Sequence, residues 1–75
     1  MKLIVNSPLA GDKVSALLGA YDKDGVTYRF LGKTGMRLEF EVAGVEGQEA
    51  IDLTKRIIRD EDFGKALYFQ VMISR

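Results

Sequence analysis

The residues of this 75-residue chain that first suggest a chemical role are Gly32-Lys33-Thr34-Gly35, because a glycine-lysine-threonine run ends a nucleotide-binding phosphate loop. That loop needs another glycine at position 27, which holds threonine, and it must open a helix whose N-terminal amides hold the phosphate. Residues 36–43 instead alternate between apolar and polar side chains, as a strand does. The run therefore predicts a β-hairpin turn.

The same four residues match the Gly-x-x-Gly clamp of KH-type RNA-binding domains. That clamp needs a helix on each side, and neither flank has a helical pattern.

Three acidic motifs are interpreted as turns or helix ends. Asp62-Phe63-Gly64 has the letters of a kinase metal-binding motif, but 75 residues cannot hold a kinase and its other motifs are missing. Asp22-Lys23-Asp24-Gly25 starts like a calcium loop, yet the sixth and twelfth positions are Thr27 and Lys33 rather than glycine and a carboxylate. Asp60-Glu61-Asp62 has two interpretations, a weak site for a hard cation and a solvated helix end, which explains it as well. We therefore expect no metal site.

The sequence also lacks the side chains of a catalytic centre. Cysteine and histidine are absent, which removes the usual zinc and haem ligands and the common nucleophile–base pairs. Glu39 and Glu41 share a predicted strand face, as paired carboxylates of an acid/base enzyme would. Arg29 and Arg37 favour ordinary cross-strand charge pairs with them. We expect neither enzymatic activity nor a bound cofactor.

Composition is typical of a small globular domain. Hydrophobic residues make up 47% of the chain and charged residues 29%, a balance that disordered segments lack. Eleven basic residues balance eleven acidic ones, so nucleic-acid binding is not expected. No apolar run approaches the roughly 18 residues of a membrane span, and the apolar start is too short for a signal peptide. We expect one cytoplasmic domain over residues 1–75.

The pattern of apolar residues predicts the elements that position these side chains. Branched apolar residues indicate a strand at Lys2–Asn6, which Ser7-Pro8 ends. The strongest helix is predicted at residues 47–60, with acidic residues at its start and basic residues toward its end, as the helix dipole favours. Further strands are predicted at residues 26–31, 36–43 and 66–73.

Residues 9–22 have two interpretations. Their apolar residues fall on one helical face, although Gly11 and Gly19 would each cost about 1 kcal/mol inside a helix. The other interpretation is a strand over residues 13–21 that turns at Asp22-Lys23-Asp24-Gly25. We favour the helix because Ala-Leu-Leu-Gly-Ala is a poor strand composition.

With that helix the chain is an α+β domain of order β-α-β-β-α-β, a split arrangement of the ferredoxin-like kind. It would have a four-stranded antiparallel sheet with both helices on one face. The alternative is a meander of four strands followed by a helix and a last strand.

The leading function hypothesis is a small non-enzymatic interaction module. It would self-associate or bind a protein partner through the outer sheet face or the last strand, because residues 66–73 have no charge and no proline. Exposed apolar groups rimmed by charge are typical of partner surfaces. The candidate contact residues are Arg29, Arg37, Tyr68, Gln70 and Met72.

The alternative hypothesis is a regulatory domain that binds a small anionic ligand. A helix that begins within residues 6–12 would turn its N-terminal amides toward an anionic metabolite. The candidate residues of this loop are Asn6, Ser7, Gly11 and Asp12.

Overall fold

The protein has two helices and a five-stranded antiparallel sheet, in a computed structural model that describes residues 1–74. The elements are β1 (Lys2–Asn6), α1 (Gly11–Gly19), β2 (Asp22–Lys23), β3 (Val26–Thr34), β4 (Arg37–Ala43), α2 (Gly47–Arg59) and β5 (Gln70–Ser74). The strands lie in the order β2-β3-β4-β1-β5, and each neighbouring pair is antiparallel. The predicted small α+β domain is confirmed at this level.

The ambiguous segment is helical, so the four-stranded meander is wrong. Helix α1 begins at Gly11 and ends at Gly19, and both glycines therefore lie at its ends, where a flexible residue costs less than in the interior. Ala10, just before the helix, has a left-handed backbone with φ 59°.

The sheet has one strand more than predicted. Asp24 and Gly25 both have positive φ, as a tight two-residue hairpin turn requires, and Asp22 and Lys23 pair with Thr27 and Val26 across that turn. Residues 22–25 are thus a hairpin with strand β2 on its first side. A two-residue strand is too short for a period-two pattern to be visible in a sequence.

The hairpin predicted around Gly32-Lys33-Thr34-Gly35 is confirmed, with a shorter turn. Gly32, Lys33 and Thr34 belong to β3, and Gly35 with φ 60° begins the turn into β4. The pairing shifts by one residue between Phe30 and Gly32, which is a β-bulge that the sequence did not predict. No helix follows the run, so it does not form a phosphate-binding loop.

The core lies on one face of the sheet, beneath both helices. Leu3 and Val5 of β1 pair with Phe40 and Leu38 of β4, and this alternation turns them all to the same side. The helices contribute buried residues to the same cluster: Val14, Leu18, Ala50, Ile57 and Ile58. We call the opposite side of the sheet, turned away from α1 and α2, the outer face.

A chain of two hydroxyl groups ties β3 to α2 inside this core. The Tyr28 Oη and Thr54 Oγ1 atoms are 2.7 Å apart, and Thr54 Oγ1 donates to the carbonyl oxygen of Ala50 at 2.7 Å. Since a hydroxyl has one hydrogen, Tyr28 is the donor to Thr54. Burial raises the pKa of Tyr28 above its ordinary value, and the phenol is neutral at physiological pH.

The last strand is shorter than predicted, since β5 begins at Gln70 rather than at residue 66. Arg59 holds the preceding segment: its Nη1 donates to the carbonyl oxygens of Gly64 at 3.1 Å, Lys65 at 3.4 Å and Leu67 at 3.1 Å. The Arg59 guanidinium also lies over the ring of Phe69, 4.7 Å from its centroid. Residues 64–69 are therefore an irregular connection bound to the end of α2.

At Gly64 the backbone of this connection lies very close to the last turn of α2. A Cβ atom there would overlap the carbonyl oxygen of Ile58 and lie 2.6 Å from its carbonyl carbon. Only a residue without a side chain fits between the backbone of this connection and the last turn of α2.

We predict that Gly64→Ala lowers the free energy of unfolding by about 2–4 kcal/mol, because the methyl group forces the connection away from α2. Urea denaturation followed by circular dichroism measures the change. Gly19→Ala is the matched control, since a Cβ at Gly19 meets no described atom within 4 Å; it should gain up to about 0.5 kcal/mol. Equal effects of the two substitutions would contradict the close approach at Gly64.

Candidate functional site

Three of the five predicted contact residues lie close together on the outer face. Asn6 of β1 pairs with Arg37 on one side and with Gln70 on the other. In the next row of the same face, Ile4 lies between Glu39 and Met72. Arg37, Gln70 and Met72 therefore flank β1 within two adjacent rows.

The other two predicted contact residues lie at different distances from this group. Tyr68 precedes β5, is 68% exposed, and its Oη accepts a hydrogen bond from Gln70 Nε2 at 3.1 Å. Arg29 lies on β3, where it pairs with Glu41 of β4, and both β4 and β1 separate it from β5. The structure thus brings Tyr68 to Gln70, but it places Arg29 elsewhere on the sheet.

Glu39 is the centre of an ion-pair network on the outer face. Its Oε1 lies 2.6 Å from Lys2 Nζ, and its Oε2 lies 3.7 Å from Arg37 Nε. The hydrogen bond from Lys2 holds the pKa of Glu39 below its ordinary value, and the charges of Lys2 and Arg37 act in the same direction. The sequence predicted a cross-strand pair for Arg37, whereas Arg37 lies on β4 itself, two residues before Glu39. Lys2 was not predicted to reach this carboxylate, because the pairing of β1 with β4 was not evident from local pattern.

Backbone hydrogen bonds show which side of β5 is free. Met1 and Val42 exchange backbone hydrogen bonds at 2.9 and 2.8 Å, and the Ser7 amide donates to the carbonyl oxygen of Met36 at 2.9 Å. The odd-numbered residues of β1 therefore bond to β4, and the even-numbered ones bond to their partners on β5.

The partners on β5 of these even-numbered residues are Gln70, Met72 and Ser74. Successive residues of a strand direct their backbone groups to opposite sides, so those of Val71 and Ile73 point away from β1. Among the strands described over residues 1–74, β1 alone pairs with β5. We call this side of Gln70–Ser74 the free edge of β5.

A second candidate site lies where the loop before α1 meets the turn between β3 and β4. An open cavity of about 400 Å³ is lined there by Ser7, Gly11 and Asp12, together with Lys33 from the hairpin. Lys33 Nζ lies 3.9 Å from Asp12 Oδ1. Of the predicted loop residues, Asn6 belongs to β1 and does not line this cavity, whereas Lys33 was not predicted to reach it.

The backbone of this second site, which we call the α1 cavity, offers donors at the helix start. The first intrahelical bond of α1 runs from the Val14 amide to the Ala10 carbonyl at 3.0 Å, which leaves the amides of residues 11–13 without an intrahelical acceptor. Ser7 does not add a free donor, because its hydroxyl already bonds to the carbonyl oxygen of Leu9. The cavity therefore combines amide dipoles with two lysines, Lys13 and Lys33.

Within the described residues, no three acidic side chains lie close enough together to hold a metal ion. Over the same range, neither helix has the length and apolar character that crossing a bilayer requires. Comparison with known proteins finds no matching family model, no similar curated protein and no similar solved structure. A function for this chain therefore has to be inferred from the geometry of its two candidate sites.

We predict that Lys2→Met raises the pKa of Glu39 toward its ordinary value, because the substitution removes a hydrogen bond and a positive charge from the carboxylate. Carboxyl chemical shifts followed by NMR through an acid titration measure the change. A lowered folded-state pKa stabilises the fold above the ordinary pKa, and this contribution is lost as the pH falls through the folded value. The acid-induced loss of stability should accordingly be smaller in the variant. Lys55→Met on α2 is the control, and an unchanged Glu39 titration in Lys2→Met would contradict the network.

Proposed function

We propose that the protein is a small non-enzymatic interaction module that binds a protein partner through one side of its sheet. The binding surface consists of Tyr68, Gln70 and Met72 with the free edge of β5, and we call it the β5 surface. The long strands have the order β3-β4-β1-β5, with α1 after β1 and α2 after β4. This order supports a ferredoxin-like arrangement with β2 added at one edge, and the cysteine-free composition is compatible with the cytoplasmic location that we propose with it.

The observation that carries the proposal is the contrast between the two edges of the sheet. At one edge, β2 is two residues long and both are charged, and the remainder of β3 carries a bulge, Arg29 and Lys33. Short strands, bulges and charges are the features that keep a sheet edge from pairing with another chain. The strand β5 has none of them, since Gln70–Ser74 contains no charge, no proline and no bulge.

Side-chain exposure supports the same surface. Tyr68 is 68% exposed and Met72 is 38% exposed, so both present apolar area beside the free edge. Aromatic residues and methionine are enriched in protein interfaces. A chain that adds as a further strand would bond to the backbone of β5 and contact these side chains at the same time.

The titratable groups support a role without catalysis. Burial in the core raises the pKa of Tyr28, and the hydrogen bond from Lys2 lowers the pKa of Glu39. Neither lines the α1 cavity, where a perturbed acid or base would be expected in an enzyme.

We predict that replacing Tyr68 with the photo-crosslinking residue benzoylphenylalanine gives discrete covalent products with a protein partner. The partner is either a second copy of this protein or another protein. The same group at Phe30, an exposed aromatic residue of β3, is the matched control and should give little product. Met72→Lys should lower the Tyr68 yield several-fold, since it places a charge in an apolar contact. Equal yields at Tyr68 and Phe30 would count against the β5 surface.

A second candidate function, a regulatory domain that binds an anion, is supported by the α1 cavity. Gly11, Lys13 and Lys33 line a space of about 400 Å³, and the amides of residues 11–13 have no intrahelical acceptor. Helix N-termini attract anions because their amides and dipole are oriented toward the ligand.

If this second function is right, phosphate or citrate should raise the melting temperature of the protein in a thermal-shift assay. Lys33→Met should lower the rise, because only Lys13 and the helix amides then attract the anion. Asp12→Ala should increase the rise, because the Asp12 carboxylate competes with the anion for Lys33. Lys23→Met, in β2, is the control and should retain the wild-type response. The same response in all four proteins would mean that the anions act away from the cavity.

A further inference from the structure

Strand β5 has the same chemical pattern in both directions. Its central residue is Met72, flanked by the β-branched residues Val71 and Ile73, which are flanked in turn by the uncharged polar residues Gln70 and Ser74. When two such strands lie antiparallel about Met72, each apolar residue faces an apolar residue and each polar residue faces a polar one. This pattern indicates a strand that complements a copy of itself.

The free backbone groups are arranged with the same symmetry. They belong to Val71 and Ile73, at equal distances on either side of Met72. In the register centred on Met72, Val71 of one copy faces Ile73 of the other, and each such pair exchanges two N–H···O bonds. A shift of one residue would instead place the free backbone groups of one copy opposite residues of the other copy whose backbone groups are already hydrogen-bonded to β1.

The side chains fit this register on both faces of the sheet. Val71 and Ile73 point to the core side and are half-buried, because no strand lies beyond them in the described chain. A second β5 would cover them with a β-branched residue each, and cross-strand pairs of this kind stabilise sheets. On the outer face Met72 would contact its own copy, and no charged residue of β5 opposes another.

We propose that the partner of the β5 surface is a second copy of this chain, joined by antiparallel pairing of the two β5 strands about a two-fold axis at Met72. This inference rests on the proposed function and specifies its partner. The product is a continuous sheet across two subunits, with both pairs of helices on the same face. An interface built on a two-fold axis is self-complementary, so the residue at the axis faces itself.

The position of Met72 on the axis gives a test by charge exchange. Met72→Lys and Met72→Glu each place like charges opposite each other, and each should raise the dimer dissociation constant roughly tenfold. An equimolar mixture of the two variants should recover the association, because lysine then faces glutamate. Sedimentation velocity over a concentration series measures all three, and circular dichroism verifies that each variant is folded.

The control is the same pair of substitutions at Met36, an exposed residue of the turn between β3 and β4. Met36→Lys and Met36→Glu should leave the dissociation constant unchanged. If the Met72 variants associate like the wild type, or if their mixture fails to recover what each variant lost, the register is overturned.

Amide hydrogen exchange tests the same pairing without any substitution. The amides of Val71 and Ile73 should exchange more slowly as the protein concentration rises, whereas the Met72 amide, bonded to β1, should be protected throughout. Association that leaves the exchange of Val71 and Ile73 unchanged would show that the copies meet elsewhere and would overturn the proposal.

Failure of this inference is distinguishable from failure of the proposed function. A wild-type protein that sediments as a monomer at every concentration overturns the self-pairing. If the crosslinker at Tyr68 then still captures a different protein, the β5 surface remains an interaction site with another partner. If that crosslinker gives no product either, both proposals are wrong.

Discussion

The contact between Gly64 and the last turn of α2 is the constraint on which the position of β5 depends. The backbone at Gly64 lies where any larger residue would overlap Ile58, and the Arg59 side chain then bonds to the carbonyl oxygens of Gly64 and Leu67. Helix α2 therefore determines the course of the chain up to Phe69. The strand begins only where these contacts end.

The same constraint determines what β5 presents to its surroundings. Because the strand starts at Gln70, its register with β1 places Met72 beside Ile4 and directs the backbone groups of Val71 and Ile73 away from the sheet. The residues that bring the strand to this position, Gly64 and Arg59, belong to the fold and not to the proposed surface. The contacts that fix the position of β5 and the proposed binding surface thus lie in separate parts of the chain, connected by a short segment.

Much of the architecture was predictable because the apolar pattern is dense and regular. The helix predicted at residues 47–60 is found at Gly47–Arg59, and the strand predicted at 36–43 is found at Arg37–Ala43. The apolar residues of α2 repeat with the helical period of 3.6 and those of β4 with the strand period of 2, and both segments fold as these periods predict. Helix α1 was harder to predict because its glycines suggested a break, although they lie at its two ends.

The remaining features depend on contacts that no local pattern reveals. Leu67 and Phe69 alternate with polar and exposed residues as strand residues do, yet Arg59 binds this segment in another conformation. The approach of Lys33 to Asp12 depends on the bulge in β3 and on how the hairpin packs beside α1. Likewise, the pairing of Lys2 with Glu39 requires the order of the strands in the sheet, which local periodicity does not contain.

The brevity of β2 limits how far strand addition can proceed in this protein. A polymer assembled by strand addition needs two receptive sides on every subunit, since each chain must accept one neighbour and offer itself to the next. Here the charged edge strand β2, Asp22–Lys23, disfavours pairing with another strand. The bulge in β3 interrupts the edge that β2 leaves uncovered. In the proposed dimer, growth by strand addition would therefore stop after one junction, and overproduction of the folded protein should not seed fibrils.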